Sequence, residues 1–545
     1  MTGNAALLSV EHLDLSIRHM QILKDVSLEV HAGEVLGIVG ESGSGKSMTA
    51  TAIMQLLPDA TRWSGKIRLA GISLDQASEA EMCAVRGHDI GMIFQEPMTA
   101  LNPVQTIGDQ VAETIRIHTK KPAGEARRMA RETLDRVGLP EERFGLDRYP
   151  HELSGGQRQR VVIAMAIALK PKLLIADEPT TALDVTTQAQ ILALLKKLVA
   201  EDGIGLILIT HDLAVVADMA DRIVIMRHGE VVEWGETVAL FRTMRHPYTK
   251  ALFAASSHRP ERPERAPQDD EMLNVTSVVR DYPLARRSLF RKQGHFRAVD
   301  HVSLAVRRGE NVGLVGESGC GKSTLTRAIL ALDSIQGGSI AIDGRPFSGP
   351  SATDPSIRRK VQVVFQDPYA SFDPRHKVER LVAEPFHLIR EAPHGANRRK
   401  RVDAALESVG MSSSDADKYI HEFSGGQRQR IAIARALIIE PELIILDEAV
   451  SALDVSIRAQ ILDLLVDLSN RLDVSYLFIS HDLSVVRAIT DRVLVMKSGK
   501  IIEEGATEEV FANPRHDYTR ALIAATPDLE RALKTRERAA SKEET

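Results

Sequence analysis

This chain carries the same series of short motifs twice. GESGSGKS (Gly40 to Ser47) recurs as GESGCGKS (Gly316 to Ser323), FQEPMTALNP from Phe94 as FQDPYASFDP from Phe365, and YPHELSGGQRQR from Tyr149 as YIHEFSGGQRQR from Tyr419. LLIADEPTTALDV from Leu173 returns as LIILDEAVSALDV from Leu443, ITHDL from Ile209 as ISHDL from Ile479, and HPYTKAL from His246 as HDYTRAL from His516. A repeat of roughly 270 residues is too long for a solenoid and means duplicated domains. The expected division is 1–255 and 272–530 for the two domains, a Pro-rich charged linker at 256–271 and a charged, solvated tail at 531–545. A single hydrophobic core seldom supports 545 residues, so length points the same way.

Each half reads as α/β. EVLGIVG (Glu34 to Gly40) is an apolar run entering a glycine-rich turn, with a helix predicted from Lys46 to Leu57. LLIA (173–176) and LILIT (206–210) are continuous apolar runs of the kind buried on both faces of a parallel sheet. Charged amphipathic segments between Pro103 and Pro150, such as GEARRMARETLDRVG, predict a helical subdomain inserted into that sheet.

Composition excludes several classes. With 69 Lys+Arg against 74 Asp+Glu the net charge is −5, which offers no broad electrostatic footprint for nucleic acid. Cys83 and Cys320 are too few for a disulfide framework or a cysteine-rich metal site, so a reducing cytoplasm is expected. No segment reads as a signal peptide, and none approaches the roughly 18 apolar residues of a membrane helix. Work at a membrane is therefore expected to go through partners.

The chemistry lies in the repeated motifs. GxxxxGK[ST] between a strand and a helix is a phosphate loop. Gly40, Gly43 and Gly45 let backbone N–H groups wrap phosphates, Lys46 reaches their oxygens, and Ser47 offers a hydroxyl to Mg²⁺; Gly316, Gly319, Gly321, Lys322 and Ser323 repeat the set. The strand-end pairs Asp177-Glu178 and Asp447-Glu448 would be costly to bury without a cation. The aspartates are assigned to the metal's water shell and the glutamates to the attacking water, as general base or orienter. Gln95 and Gln366 suit the metal's water and a sensor of the γ-phosphate, and His211 and His481 a donor to that phosphate. In Ser154, Gly155, Gly156 and Gln157, and again in Ser424, Gly425, Gly426 and Gln427, adjacent glycines bare the backbone at a helix N-terminus that favours an anion.

In this order, and twice over, these motifs resemble the nucleotide-binding domains of ATP-binding cassette transporters. More narrowly, they are similar to the ATP-binding subunits of oligopeptide, dipeptide and glutathione importers in which both subunits are fused. The resemblance implies two tandem P-loop NTPase cassettes that use ATP and Mg²⁺ in a head-to-tail sandwich. Lys46 would then work with Ser424 to Gln427 and Lys322 with Ser154 to Gln157, with the ALD turns (182–184 and 452–454) lying across the interface. It also implies adenine stacking on Tyr282, for which the first half has Ile17, Arg18 and His19 instead. Ala449 departs from the proline at Pro179.

The function so implied is an ATP-hydrolysing subunit that energises peptide import on the cytoplasmic side of the bacterial inner membrane. Its partners would be two integral membrane permeases and an extracytoplasmic peptide-binding protein, with no nucleic acid and no membrane contact of its own. The alternative, a soluble twin-cassette ATPase acting on ribosomes, usually has a long charged helical linker and lacks the switch histidine.

Overall fold

The computed structural model describes residues 6–181, 183–263, 268–284, 294–347, 349, 354–451 and 453–543. Ala182 and Ala452, predicted to lead the two ALD turns, fall outside the described residues.

Each half is built on a six-stranded sheet. In the first half the strands run in the order Glu230–Glu236, Arg222–Arg227, Val35–Val39, Gly205–Ile209, Leu173–Asp177, Ile90–Ile93. All neighbours are parallel except the edge pair Glu230–Glu236 with Arg222–Arg227. The second half repeats this with Val361–Val364, Leu443–Asp447, Ser475–Ser480, Asn311–Val315, Arg492–Lys497 and Lys500–Ala506. The unbroken apolar runs follow from burial on both faces. Leu36, Ile38, Leu173, Ile175, Ile207 and Ile209 enter one core. Their neighbours Val35, Val39, Leu174, Ala176, Leu206 and Leu208 enter the other.

The sequence patterns did not reveal a second sheet in each half. Leu8–Ile17, Met20–Val30, Thr61–Leu69 and Ile72–Ser73 pair antiparallel and close the first core. The expected helical insertion is present as Ile107–Thr119 and Ala123–Arg136. The phosphate-loop helix is shorter than predicted, Lys46–Ile53 instead of reaching Leu57. Gln55 turns left-handed at φ 50°, and the Arg86 guanidinium takes the carbonyls of Met54 and Gln55 at 2.8 and 3.3 Å, satisfying the helix's free end.

The two halves touch through their C-terminal helices. Pro247–Ser256 of the first packs on Val455–Leu472 of the second, and Asp517–Ala525 of the second packs on Val185–Asp202 of the first. Linker residues lie along the second half, where His258 Nε2 meets Asp463 at 2.7 Å and Arg262 donates to the Thr490 carbonyl at 2.8 Å. No described helix is long and apolar enough to cross a membrane.

The solvated tail expected at 531–545 is instead part of a packed helix, Leu529–Glu543, lying against Leu213–Met219 of the first half. Leu529 and Ala532 are buried in the first half's core, Leu533 packs against it, and Arg536 donates to the Asp218 carbonyl at 3.0 Å. The charge-rich sequence hid an amphipathic spacing whose apolar side contacts residues more than 300 positions away. Leu529→Ala should therefore cost about 2 kcal/mol of stability, read as a lower urea midpoint for the full chain.

Candidate functional site

Parallel pairing gathers the chemistry at one edge of each sheet. Val35–Val39, Leu173–Asp177 and Gly205–Ile209 run side by side in register, so their C-terminal ends deliver the phosphate loop, Asp177-Glu178 and His211 to the same place. In the second half Asn311–Val315, Leu443–Asp447 and Ser475–Ser480 do the same for the second loop, Asp447-Glu448 and His481.

The phosphate loops demand their glycines for different reasons. Gly43 and Gly319 have open space around them but lie at φ 77° and 78°, a left-handed conformation that a side chain resists. At Gly40 a Cβ would fall 2.2 Å from the Met226 carbonyl oxygen, and at Gly316 the same distance from that of Met496. Lys46 is buried, and its Nζ donates to the carbonyls of Gly40 and Glu41 at 2.7 and 2.9 Å; Lys322 does likewise to Gly316 and Glu317 at 2.6 and 2.9 Å. Burial pushes the Lys46 ammonium below its ordinary value, against the pull of Glu178, Asp454 and Asp177.

The acids are arranged to match. Asp177 Oδ1 accepts from Ser47 Oγ at 3.1 Å, and burial pushes its carboxyl up. Asp447 is pushed up to about 6 by burial and by the charge of Glu448. Glu178 and Glu448 both lie in the left-handed region, at φ 47° and 51°, which costs about 1–3 kcal/mol for a non-glycine residue and marks a functional turn. Burial opposes ionisation of Glu178, yet contacts with His211 Nδ1 at 3.3 Å and Thr181 Oγ1 at 2.9 Å hold it down to about 2. Gln95 Nε2 also donates to it at 2.8 Å. Glu448 is held below its ordinary value by His481 at 3.2 Å, which overrides burial, and the same contact raises His481 despite its burial. Among the described residues no hydrogen bond joins Gln366 to Glu448 or Ser323 to Asp447.

A buried ammonium bonded only to carbonyls, facing buried carboxyls that resist ionisation, fits a magnesium–polyphosphate group. Ser47, Asp177, Ser323 and Asp447 are the donors of the right type for the metal.

Each SGGQ motif begins a helix, Gly155–Ile167 and Gly425–Leu437, with the serine as N-cap. Ser154 Oγ accepts from the Gln157 amide at 3.4 Å and Gln157 Oε1 accepts from the Ser154 amide at 3.0 Å; Ser424 and Gln427 repeat the box. Gly156 and Gly426 are required by packing, since a Cβ would meet Thr187 Cγ2 at 2.2 Å and Ile457 Cγ2 at 2.4 Å. Gly155 and Gly425 face more open space. Among the described residues no hydrogen bond links either SGGQ to the opposite phosphate loop. Tyr282 donates to Asp333 at 3.2 Å, and the Arg280 guanidinium lies 4.6 Å from its ring centre.

Two groups of contacts, and the partner of a third group expected at the interface, were not anticipated from sequence. Thr181 bonds Glu178 directly. The tyrosines of the HPYT and HDYT segments brace the phosphate loops: Tyr248 Oη accepts from the Glu41 amide at 3.1 Å and Tyr518 Oη from the Glu317 amide at 3.0 Å. Their recurrence in both halves was the only signal. Third, Asp454 crosses between halves, its Oδ1 accepting from Ser42 N and Oγ at 2.9 and 3.1 Å, while Thr186 Oγ1 donates to Glu317 at 2.8 Å.

Fold and site together define a nucleotide-dependent P-loop cassette ATPase made twice in one chain. Residues 23–181 and 299–451 match the ABC transporter family, and 232–277 and 502–545 match the oligopeptide/dipeptide transporter C-terminal region. The chain is 47% identical over 558 aligned residues to "Glutathione import ATP-binding protein GsiA" of Salmonella choleraesuis, covering 96% of this chain and 89% of that one. The protein of the same name from Escherichia coli is 46% identical over the same shares. A solved cassette from Clostridium perfringens, part of the ABC transporter complex cbiONQ, is 30% identical over 45% of this chain and 92% of its own, with a TM-score of 0.38.

The chain belongs to the ABC transporter family, in its fused, two-cassette oligopeptide/dipeptide branch. It is the ATP-hydrolysing subunit of a transporter and uses ATP with Mg²⁺.

The raised Asp447 carboxyl gives a test. Its neutral form stabilises the fold, so that contribution is full below pH about 4 and is lost as pH rises through about 6. With a chelator present, Asp447→Asn should melt above the parent at pH 7.5, with the gap narrowing toward pH 4.5, and should lose Mg²⁺-dependent ATP hydrolysis.

Proposed function

We propose that this chain energises import of small peptides, glutathione among them, through a pair of separate membrane permeases supplied by an extracytoplasmic binding protein. It works peripherally on the cytoplasmic side of the inner membrane. The cargo class follows the relatives named for glutathione import, which align with 96% of this chain. Nothing observed in the fold favours the ribosome alternative.

Two ATP molecules bind head to tail, each between the phosphate loop of one half and the SGGQ of the other. The observation that carries this reading is the Asp454 carboxylate of the second half reaching the Ser42 amide and hydroxyl in the first half's phosphate loop. The loop amides of Gly40, Gly43 and Gly45, with Lys46, hold the phosphates at one site; Gly316, Gly319, Gly321 and Lys322 do so at the other. Ser424–Gln427 and Ser154–Gln157 close over them, their helix N-termini adding favourable charge.

Mg²⁺, when bound, neutralises the phosphates and polarises the bond to be broken. Ser47 and Asp177, with Gln95, hold it at the first site, and Ser323 and Asp447, with Gln366, at the second. Glu178 and Glu448 orient the attacking water. A carboxylate held at about 2 is a weak base, so orientation and charge stabilisation suit Glu178 better than proton abstraction. His211 and His481 keep these glutamates placed and donate toward the γ-phosphate. Tyr282 stacks on adenine at the second site, using the ring face away from Arg280.

With both sites competent, Glu178→Gln and Glu448→Gln should each lower ATP turnover at least tenfold in the purified chain. Parental turnover in either variant would refute the two-site reading. Cells carrying the chain with its permeases should take up labelled glutathione, and Lys46→Ala should abolish that uptake. Uptake unchanged by Lys46→Ala would refute the transport role.

A further inference from the structure

The two halves are near copies, yet the aspartates that begin their matching helices behave differently. Asp184 is committed to its own helix, Val185–Asp202. It accepts from the Thr187 amide at 3.0 Å, the Thr187 hydroxyl at 3.0 Å and the Thr186 hydroxyl at 2.7 Å. Asp454 makes no side-chain cap on its helix, Val455–Leu472, and instead reaches across to Ser42.

The residues after the aspartates differ, Thr186-Thr187 in the first half against Ser456-Ile457 in the second, and the change at the later position removes a hydroxyl. Where the first half has Thr187, the second has Ile457. Both pack a methyl against the second glycine of their SGGQ, at Gly156 and Gly426, but only threonine also offers a hydroxyl to the aspartate. Without that competitor Asp454 takes two bonds from the opposite phosphate loop, both to a charged acceptor and so of the stronger kind. The reverse crossing is of the same kind but has fewer bonds. It is a single Thr186 hydroxyl shared between Asp184 and the side chain of Glu317, and among the described residues Asp184 makes no hydrogen bond to Ser318.

We infer that the two ATP sites are unequally coupled to the opposite half, and that the Thr187/Ile457 difference sets the inequality. Filling the Lys46 site is transmitted through Ser42 and Asp454 to the start of the helix Val455–Leu472, and through Ile457 to Gly426. Filling the Lys322 site is not matched by an equal signal to Val185–Asp202. Asp454 is a positioning residue here, acting through Ser42. The permeases would then receive an asymmetric closure from a chain whose motifs look symmetric. This rests on the assignment of ATP to the Lys46 and Lys322 sites.

The test is hydrogen exchange of the full chain with Mg²⁺ and a non-hydrolysable imido analogue of ATP. Lys322→Ala leaves only the Lys46 site, and Lys46→Ala only the Lys322 site. Analogue at the Lys46 site should slow exchange at residues 455–462 at least threefold. Analogue at the Lys322 site should change residues 185–192 less than twofold. Adding Ile457→Thr to the first variant returns a hydroxyl to Asp454 and should remove most of the protection, while the melting temperature holds and the analogue still binds. Adding Asp454→Ala should remove it entirely. Equal protection in both arms, or protection indifferent to Ile457→Thr, overturns the inference while leaving the site assignment standing. Failure of the analogue to bind either single-site variant overturns the site assignment, and the inference with it.

Discussion

A buried ammonium without a carboxylate partner, facing buried carboxyls that resist ionisation, is the condition on which the rest of the structure depends. Lys46 donates to two carbonyls, and burial pushes up the carboxyl of Asp177 in the same half; in the second half Lys322 likewise donates to two carbonyls and Asp447 is pushed up to about 6. Such an arrangement is unfavourable on its own and becomes favourable when a magnesium–polyphosphate group supplies both missing charges. Each half is organised to hold these groups together: parallel strands bring three chain segments to one edge, and two cores clamp the sheet on both faces.

The supports lie far from the motifs in sequence. Tyr248 and Tyr518, from the matching helices Pro247–Ser256 and Asp517–Ala525, fix the amides of Glu41 and Glu317 at the mouths of the phosphate loops. The same helices pack on the opposite half, so one element braces a nucleotide loop and an interface at once. The helix Leu529–Glu543 extends this by seating residues of the second half in the core of the first. Packed side chains thereby form a contiguous route between the opposite half and the phosphate loops.

Much of this was legible in the chain. The duplicated motifs gave the cassette, the strands of its parallel sheet that were read and the phosphate loops, because a phosphate loop works through local backbone geometry and its glycines show in sequence. The antiparallel sheet of the first half was missed because Leu8–Ile17 is bulged, which breaks the strict alternation that marks a strand. The packed tail was missed because its apolar spacing is diluted by charge. Thr181 and Tyr248 were missed as site residues, as was the Ser42 partner of Asp454, because these contacts are made through space.

By itself the sequence determined that two P-loop cassettes exist and where their glycine-rich loops and strand-end carboxylates fall; these features are encoded in contiguous residues. Only the tertiary structure decided which partner each of those groups takes. ALDV is identical in both halves, yet Asp184 caps its own helix through Thr186 and Thr187 while Asp454 makes no side-chain cap and crosses to Ser42. A carboxylate bonds to the donors that folding brings within about 3 Å, and that choice is settled by packing in space.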